Sequence, residues 1–174
     1  MYFVIQVMST NEQKMMDHFK KDMDTLYYSD MFIPLRVRMK KKQNKWIEVE
    51  ERVFPGYIFV ETSTPKEFAR ELRKIDGFKR LVGFGSTGGI HYTPLSKKNE
   101  EMIRKLIGNG NHRIELSSIQ IEEGKKIKVV DGPLLGFEGI VTRYNLHKRV
   151  ALVDIDLNGM VVSVQLGIEV LKNK

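Results

Sequence analysis

Residues 46–61 read WIEVEERVFPGYIFVE, and the change of pattern inside this stretch decides the fold. Its first half alternates, with Trp46, Glu48 and Glu50 on one side and Ile47 and Val49 on the other. That period of two belongs to a half-covered β-strand. From Tyr57 to Val60 every residue is apolar, as in a strand covered on both faces. Between the halves, Phe54-Pro55-Gly56 is a break, because proline fixes φ and removes a donor while glycine tolerates positive φ.

Upstream, YFVIQV (2–7) is a short apolar run of β-formers suited to a central strand. Ser9 and Glu12 have the S-x-x-E spacing of a capping box, and Met15, Met16, Phe19 and Met23 follow at helical spacing. MFIPLRVRMKK reads as a strand with Pro34 near its edge, running into a basic tip. Downstream, Thr64-Pro65-Lys66-Glu67 is a second capping box, with Phe68, Leu72 and Ile75 as the buried stripe of its helix. FKRLVGFG predicts another strand, ending in the glycine-rich turn STGGI. Ser96 caps a third helix whose Met102, Ile103, Leu106 and Ile107 face inward. The order β-α-β-β-α-β plus a helix predicts an α/β sandwich with a mainly antiparallel sheet, ferredoxin-like by default.

After Ile107 the chain reads GNGNHRIELSSIQ, whose glycines, asparagines and serines predict a linker over 108–121. The remainder is all β-type: KKIKVV, GIVTRYN, RVALVDID, an Asn158-Gly159 turn, MVVSVQL and EVL. Five short strands without helical periodicity predict a small SH3-like barrel. The expected class is therefore α+β, with a sandwich domain at 1–107, a linker, and an all-β barrel domain at 122–174.

The chain has 174 residues and 41% apolar content, enough for one ordinary domain or two small ones. It has no cysteine, which rules out disulfides and thiolate metal sites and fits a reducing cytoplasm. The start MYFVIQVMSTNEQ lacks the pattern of a signal peptide, and no run of 18 apolar residues occurs, so no membrane partner is expected. A net charge of +7 favours a polyanionic partner. That charge is uneven: residues 1–107 hold 20 Lys and Arg against 14 Asp and Glu, whereas residues 122–174 hold 8 against 7. Nucleic-acid binding by the barrel would have to come from local arrangement.

Two basic regions stand out. Arg36, Arg38, Lys40, Lys41, Lys42 and Lys45 crowd a hairpin tip, either as a solvated edge or as a contact for DNA or RNA. In the barrel, Lys125, Lys126 and Lys128 line the first strand, and Arg143, His147, Lys148 and Arg149 surround a turn with Tyr144 among them. Cations supply phosphate contacts and the tyrosine ring a stacking surface, which points to RNA. Lys172 and Lys174 extend that patch. Between the first two barrel strands, KVVDGPLLGFEGIV (128–141) carries Leu134, Leu135 and Phe137 in a turn that ought to be polar. They either plug the end of the barrel or dock a partner.

No catalytic constellation emerges. Histidines 18, 91, 112 and 147 lack metal spacing, Asp154 and Asp156 read as the solvated side of a strand, and GFGSTGG (83–89) has no phosphate-loop ending. No enzyme activity, cofactor or metal is expected.

RVFPGYIFVE (52–61) resembles the F-P-G-Y run of the N-terminal (NGN) domain of NusG-type transcription elongation factors, and EEGKKIKVVDGPLLGFEGIVTRYNLHKRVALV resembles a KOW motif. YFVIQV and the PLS-helix at 94–107 fit the same family, in its order, across nearly the whole chain. The resemblance implies binding to the clamp helices of the largest RNA polymerase subunit, beside upstream or non-template DNA. It carries that role to Tyr57 and Phe59, and more loosely to Phe54 and Phe84. In the family the F-x-G loop, here at Phe137, meets the ribosome or Rho. The chain departs from the general factor at ELRKIDGFKRLVGFG (71–85), and it has Phe68-Ala69-Arg70 where RfaH-type members carry a His-Thr-Thr motif. MKKKQNKW and FPGYIFVE are most similar to the LoaP branch, which implies a processive antiterminator recruited by a nascent RNA hairpin. A monomer with a permanent barrel is expected.

Overall fold

The computed structural model describes residues 1–77, 79–82, 93–108 and 110–171. Phe84, His91, the glycine-rich turn at 86–90 and the tail lysines Lys172 and Lys174 lie outside the described residues. Along the chain run β1 (Tyr2–Val7), α1 (Glu12–Asp22), β2 (Asp30–Phe32), β3 (Leu35–Lys42), β4 (Lys45–Arg52) and β5 (Tyr57–Glu61). Then come α2 (Pro65–Lys74), β6 (Lys79–Leu81), α3 (Lys97–Ile107), β7 (Arg113–Ile114) and β8 (Ser117–Ile121). The last strands are β9 (Ile127–Asp131), β10 (Val141–Asn145), β11 (Val150–Leu157) and β12 (Met160–Val170). Contacts gather them into two compact units. One holds Met1–Ile33, Phe54–Glu101 and Asp156–Val161, and the other holds Pro34–Val53, Met102–Ile155 and Val162–Lys174.

The first unit is built on a sheet of order β2-β5-β1-β6, with β5 antiparallel to both β1 and β2 and β1 antiparallel to β6. That is the ferredoxin-like arrangement expected from the order of elements. The two central strands are covered on both faces: Ile5, Ile58, Phe59 and Val60 are fully buried. Along one face the rings of Tyr2, Phe32, Phe59 and Phe54 form a chain with centroids 5.3–5.7 Å apart. Each such side chain contributes about 1.5–3 kcal/mol by leaving water. Of the helical stripes, Met16, Phe19, Met23, Phe68, Leu72, Ile75 and the four α3 residues are buried, while Met15 is only half-buried.

The capping boxes differ from expectation. Glu12 is buried, and its Oε1 accepts a 2.6 Å hydrogen bond from the Gly56 amide, while the N-cap of α1 is Asn11. A buried amide is costly to leave unpaired, so the carboxylate serves the F-P-G-Y turn. Thr64 makes no side-chain cap, although Pro65 takes the first helical position. Thr62 accepts from the Thr64 amide at 3.0 Å and donates to the Tyr27 carbonyl at 2.7 Å. Ser96 does cap α3, accepting from the Asn99 amide at 3.2 Å.

MFIPLRVRMKK breaks at Pro34 into β2 and β3, which join different sheets, because proline cannot donate to a ladder and restricts the residue before it. In the second unit β3 sits between β4 and a short parallel β7, and a five-stranded sheet has the order β10-β11-β12-β8-β9. The segment expected to be a linker therefore supplies two strands. Ile114, Ser117 and Ile119 are buried, and β8 pairs with β9 antiparallel and β12 parallel. MVVSVQL and EVL are one continuous strand through Gly167, so the fifth strand of the barrel unit is β8.

Replacing Glu12 with alanine strands the Gly56 amide and is expected to cost about 2 kcal/mol of stability. Urea unfolding of the two proteins checks it, and equal midpoints would remove Glu12 from the account of the F-P-G-Y turn.

Candidate nucleic-acid interface

The β3–β4 hairpin turns through Gln43 and Asn44, both with positive φ, and pairs Lys42 with Lys45. This is the two-residue turn whose twist matches the strands. Alternation then sorts its cations. Arg36, Arg38 and Lys40 share a face and converge on Glu51, at 3.4 Å and 3.3 Å for the two arginines, with Lys40 in direct contact. Burial works against the charge of Glu51, but the hydrogen bond from Lys40 and the charges of Arg38, Lys40 and Arg36 hold its carboxyl below the usual glutamate range. On the other face Lys41 stands opposite Trp46.

Trp46 is half-buried, and the Arg149 guanidinium lies over its ring at 4.1 Å from the centroid. Arg149 closes the turn after β10, where Asn145 Oδ1 accepts from the Lys148 amide at 2.9 Å and Arg149 itself has φ of 52°. The tip of the hairpin and the turn of the barrel, two basic regions 107 residues apart in sequence by the numbers of Lys41 and Lys148, thus meet. Between them is a groove of about 360 Å³, lined by Arg38, Met39, Lys40 and Lys41 from β3, Trp46 from β4, and His147 and Lys148 from the turn.

The other candidate residues fall elsewhere. Lys125 and Lys126 lie in the turn before β9, Lys128 is on β9, and all three are exposed; none lines the groove. Arg143 is exposed on β10, at the opposite edge of the five-stranded sheet from β9. Tyr144 is half-buried, and burial, then the charge of Glu138, raises its hydroxyl pKa. Lys42 and Lys45 are exposed at the tip. Sequence reasoning named Arg38 among the hairpin cations but missed Met39 and Trp46 as groove wall; the one available signal was the alternation that sets Trp46 opposite Lys41.

The expected aromatic surface needs correction. Phe54 and Phe59 are 1% and 0% exposed, because β5 lies between β1 and β2 and is covered on both faces. Neither presents a ring to a partner. Tyr57, at the start of β5, is half-buried, and its hydroxyl donates to Met160 Sδ at 3.3 Å. The puzzling loop divides. Leu134 is fully buried and its amide donates to Ser117 Oγ at 3.0 Å, whereas Leu135 is 52% exposed. Phe137 is half-buried, with Lys105 Nζ 6.0 Å from its ring centroid. Among the described residues, no cluster of His, Asp and Glu is placed to hold a metal ion, and no helix is long and apolar enough to cross a membrane.

Comparison with known proteins adds four findings. Residues 1–107 match the family model described as transcription termination factor nusG. The chain is 25% identical to the transcription termination/antitermination protein NusG of Halalkalibacterium halodurans, over 95% of its own length and 93% of the relative's. It is 28% identical to the Lactococcus lactis protein of the same description, over 88% and 83%. A solved structure concerning domain interaction in Thermotoga maritima NusG superposes with a TM-score of 0.56 at 21% identity, covering 95% of this chain and 92% of that one. This last likeness is one of fold.

Two measurements probe the groove. Trp46 is the single tryptophan, so Arg149→Ala should shift its emission to longer wavelength and raise its quenching by acrylamide; an unchanged spectrum would mean the two do not meet. Glu51, with its lowered pKa, contributes stability that is complete above the usual glutamate range and is lost as pH falls through its own lower value. Glu51→Gln should therefore be less stable near neutral pH, by on the order of 1 kcal/mol, and the gap should close in acid.

Proposed function

Since the chain belongs to the NusG family, whose model its residues 1–107 match, we propose that it is a specialised, LoaP-like elongation factor acting as a processive antiterminator. Residues within 1–107 bind RNA polymerase at the clamp helices of its largest subunit, with Tyr57 as the accessible aromatic anchor. The basic surface of the C-terminal strands binds a hairpin in the nascent leader RNA, and the protein promotes read-through of terminators in selected long operons in the cytoplasm. Exposed Lys42 and Lys45 at the hairpin tip lie toward upstream or non-template DNA. The protein is a monomer that needs no cofactor and catalyses no reaction.

The observation that supports this reading best is the meeting of Lys40, Lys41, Trp46, His147 and Lys148 around one groove. Phosphate contacts by Lys and Arg supply affinity, and an aromatic ring among them suits RNA, whose unstacked bases are open to stacking. A second reading, a housekeeping NusG that couples polymerase to the ribosome or Rho, is favoured by the exposed Leu135 in the loop beside Phe137. A stand-alone KOW RNA-binding protein of the translation apparatus would use the same barrel without polymerase.

Single-round transcription by purified polymerase through an intrinsic terminator separates them. Read-through is expected only on a template carrying the leader of an operon beside this protein's gene; equal effects with and without the leader would mean the housekeeping role. Tyr57→Ala should weaken polymerase binding about tenfold, as for a central aromatic anchor, and no change would favour the stand-alone protein. Lys148→Ala should lower RNA affinity and reduce its salt slope by about 1.

A further inference from the structure

The groove between β3 and the 146–149 turn has a composition that a phosphate-binding patch alone does not need. Met39 and Trp46 give it apolar wall, and no carboxylate lines it among the described residues. β7 pairs with β3 only at Leu35 and Arg36, short of the β3 residues Arg38–Lys41 that line the groove. Arg38 and Lys40 are already engaged by Glu51, while Lys41 and Lys148 are exposed. Its volume of about 360 Å³ is at the lower end of small-ligand pockets. That is room for one nucleotide and not for a helix. A base inside a stem has both faces covered by its neighbours, so only an unpaired base can bring a ring to this wall.

We propose that the groove receives a single unpaired nucleotide bulged from an RNA stem, its base stacked against the Trp46 side of the groove and its flanking phosphates on Lys41 and Lys148. This rests on the reading that the chain binds RNA. Arg149, holding the indole at 4.1 Å, fixes the wall before the nucleotide arrives, which lowers the ordering cost of binding. The bulge is then the feature by which one leader hairpin is told from another of equal charge.

The full chain is titrated with stem-loops identical except for one unpaired A, C, G or U in the stem, and with the fully paired stem-loop. Binding is read by anisotropy of labelled RNA and by Trp46 fluorescence. At least one bulged stem-loop is expected to bind about tenfold more tightly than the paired one and to quench Trp46. Trp46→Ala should abolish that preference, and Trp46→Phe should keep most of it. Should the Trp46→Ala chain fail to fold, Met39→Ala reads the same wall and should reduce the preference. Equal binding of paired and bulged stem-loops overturns the inference and leaves RNA binding standing, as does a preference that survives Trp46→Ala. Quenching by free nucleoside monophosphates at the same concentration would mean a mononucleotide site instead and overturns it too. Binding of no RNA at all overturns both this inference and the reading beneath it.

Discussion

At Gly167 the backbone of β3 passes so close to β12 that a Cβ atom there would stand 2.3 Å from the Val37 carbonyl oxygen and 3.1 Å from Arg38 Cα. No side chain fits, and none can be accommodated by a rotamer change, since the obstacle is backbone. Because the obstacle is backbone, the hairpin can lie this close to the long strand only where the strand carries no side chain. The rest of the second unit follows from that placement. Trp46 falls under Arg149, Lys41 comes beside Lys148, and the groove exists. A second close approach holds the far end of the same unit: Gly132, with φ of 93°, lies where a Cβ would be 2.6 Å from the Leu116 carbonyl oxygen.

Net charge is a poor guide to where a polyanion would settle on this protein. Three of the hairpin's cations are drawn onto one carboxylate, Glu51, and Arg113 is likewise taken up by Glu115 and Glu50 at 2.6 Å and 3.4 Å. These pairs order the hairpin and its parallel neighbour β7 without advertising positive charge to solvent. Lys41 near the tip and Lys148 in the barrel turn are exposed, and they line one groove together with the Trp46 ring. Stacking selects among unpaired bases by shape, and phosphate contacts hold any of them. A surface with both can be strong and discriminating at once.

The sandwich was legible because its signals were local. A wholly apolar YIFV and YFVIQV at the right spacing could only be central strands, and three helical stripes landed on the core as read. What failed was long-range. The Ser9–Glu12 spacing looked like a local cap, yet Glu12 spends its carboxylate on an amide 44 residues away. SSIQI was hidden by the glycines and asparagines before it, although Ser117 and Ile119 have the alternation of a buried strand. Gly167 looked like an end and is a crossing. Phe54 and Phe59 were read as surface because an aromatic in an apolar run carries no mark of which way it points. The groove could not be read at all, since its two halves are separated by a hundred residues and joined by packing that no window sees.

Leu134 and Leu135 are neighbours in the chain and strangers in the fold: one has no exposed surface and the other is more than half exposed. Core positions tolerate few replacements, whereas a lone exposed leucine can be exchanged at almost no cost in stability. The loop therefore separates two kinds of inheritance. Leu134 is bound to the persistence of the barrel itself, and Leu135 is open to drift, so descendants of this chain can acquire or lose an outward contact here by changing one codon while the barrel is passed on unaltered.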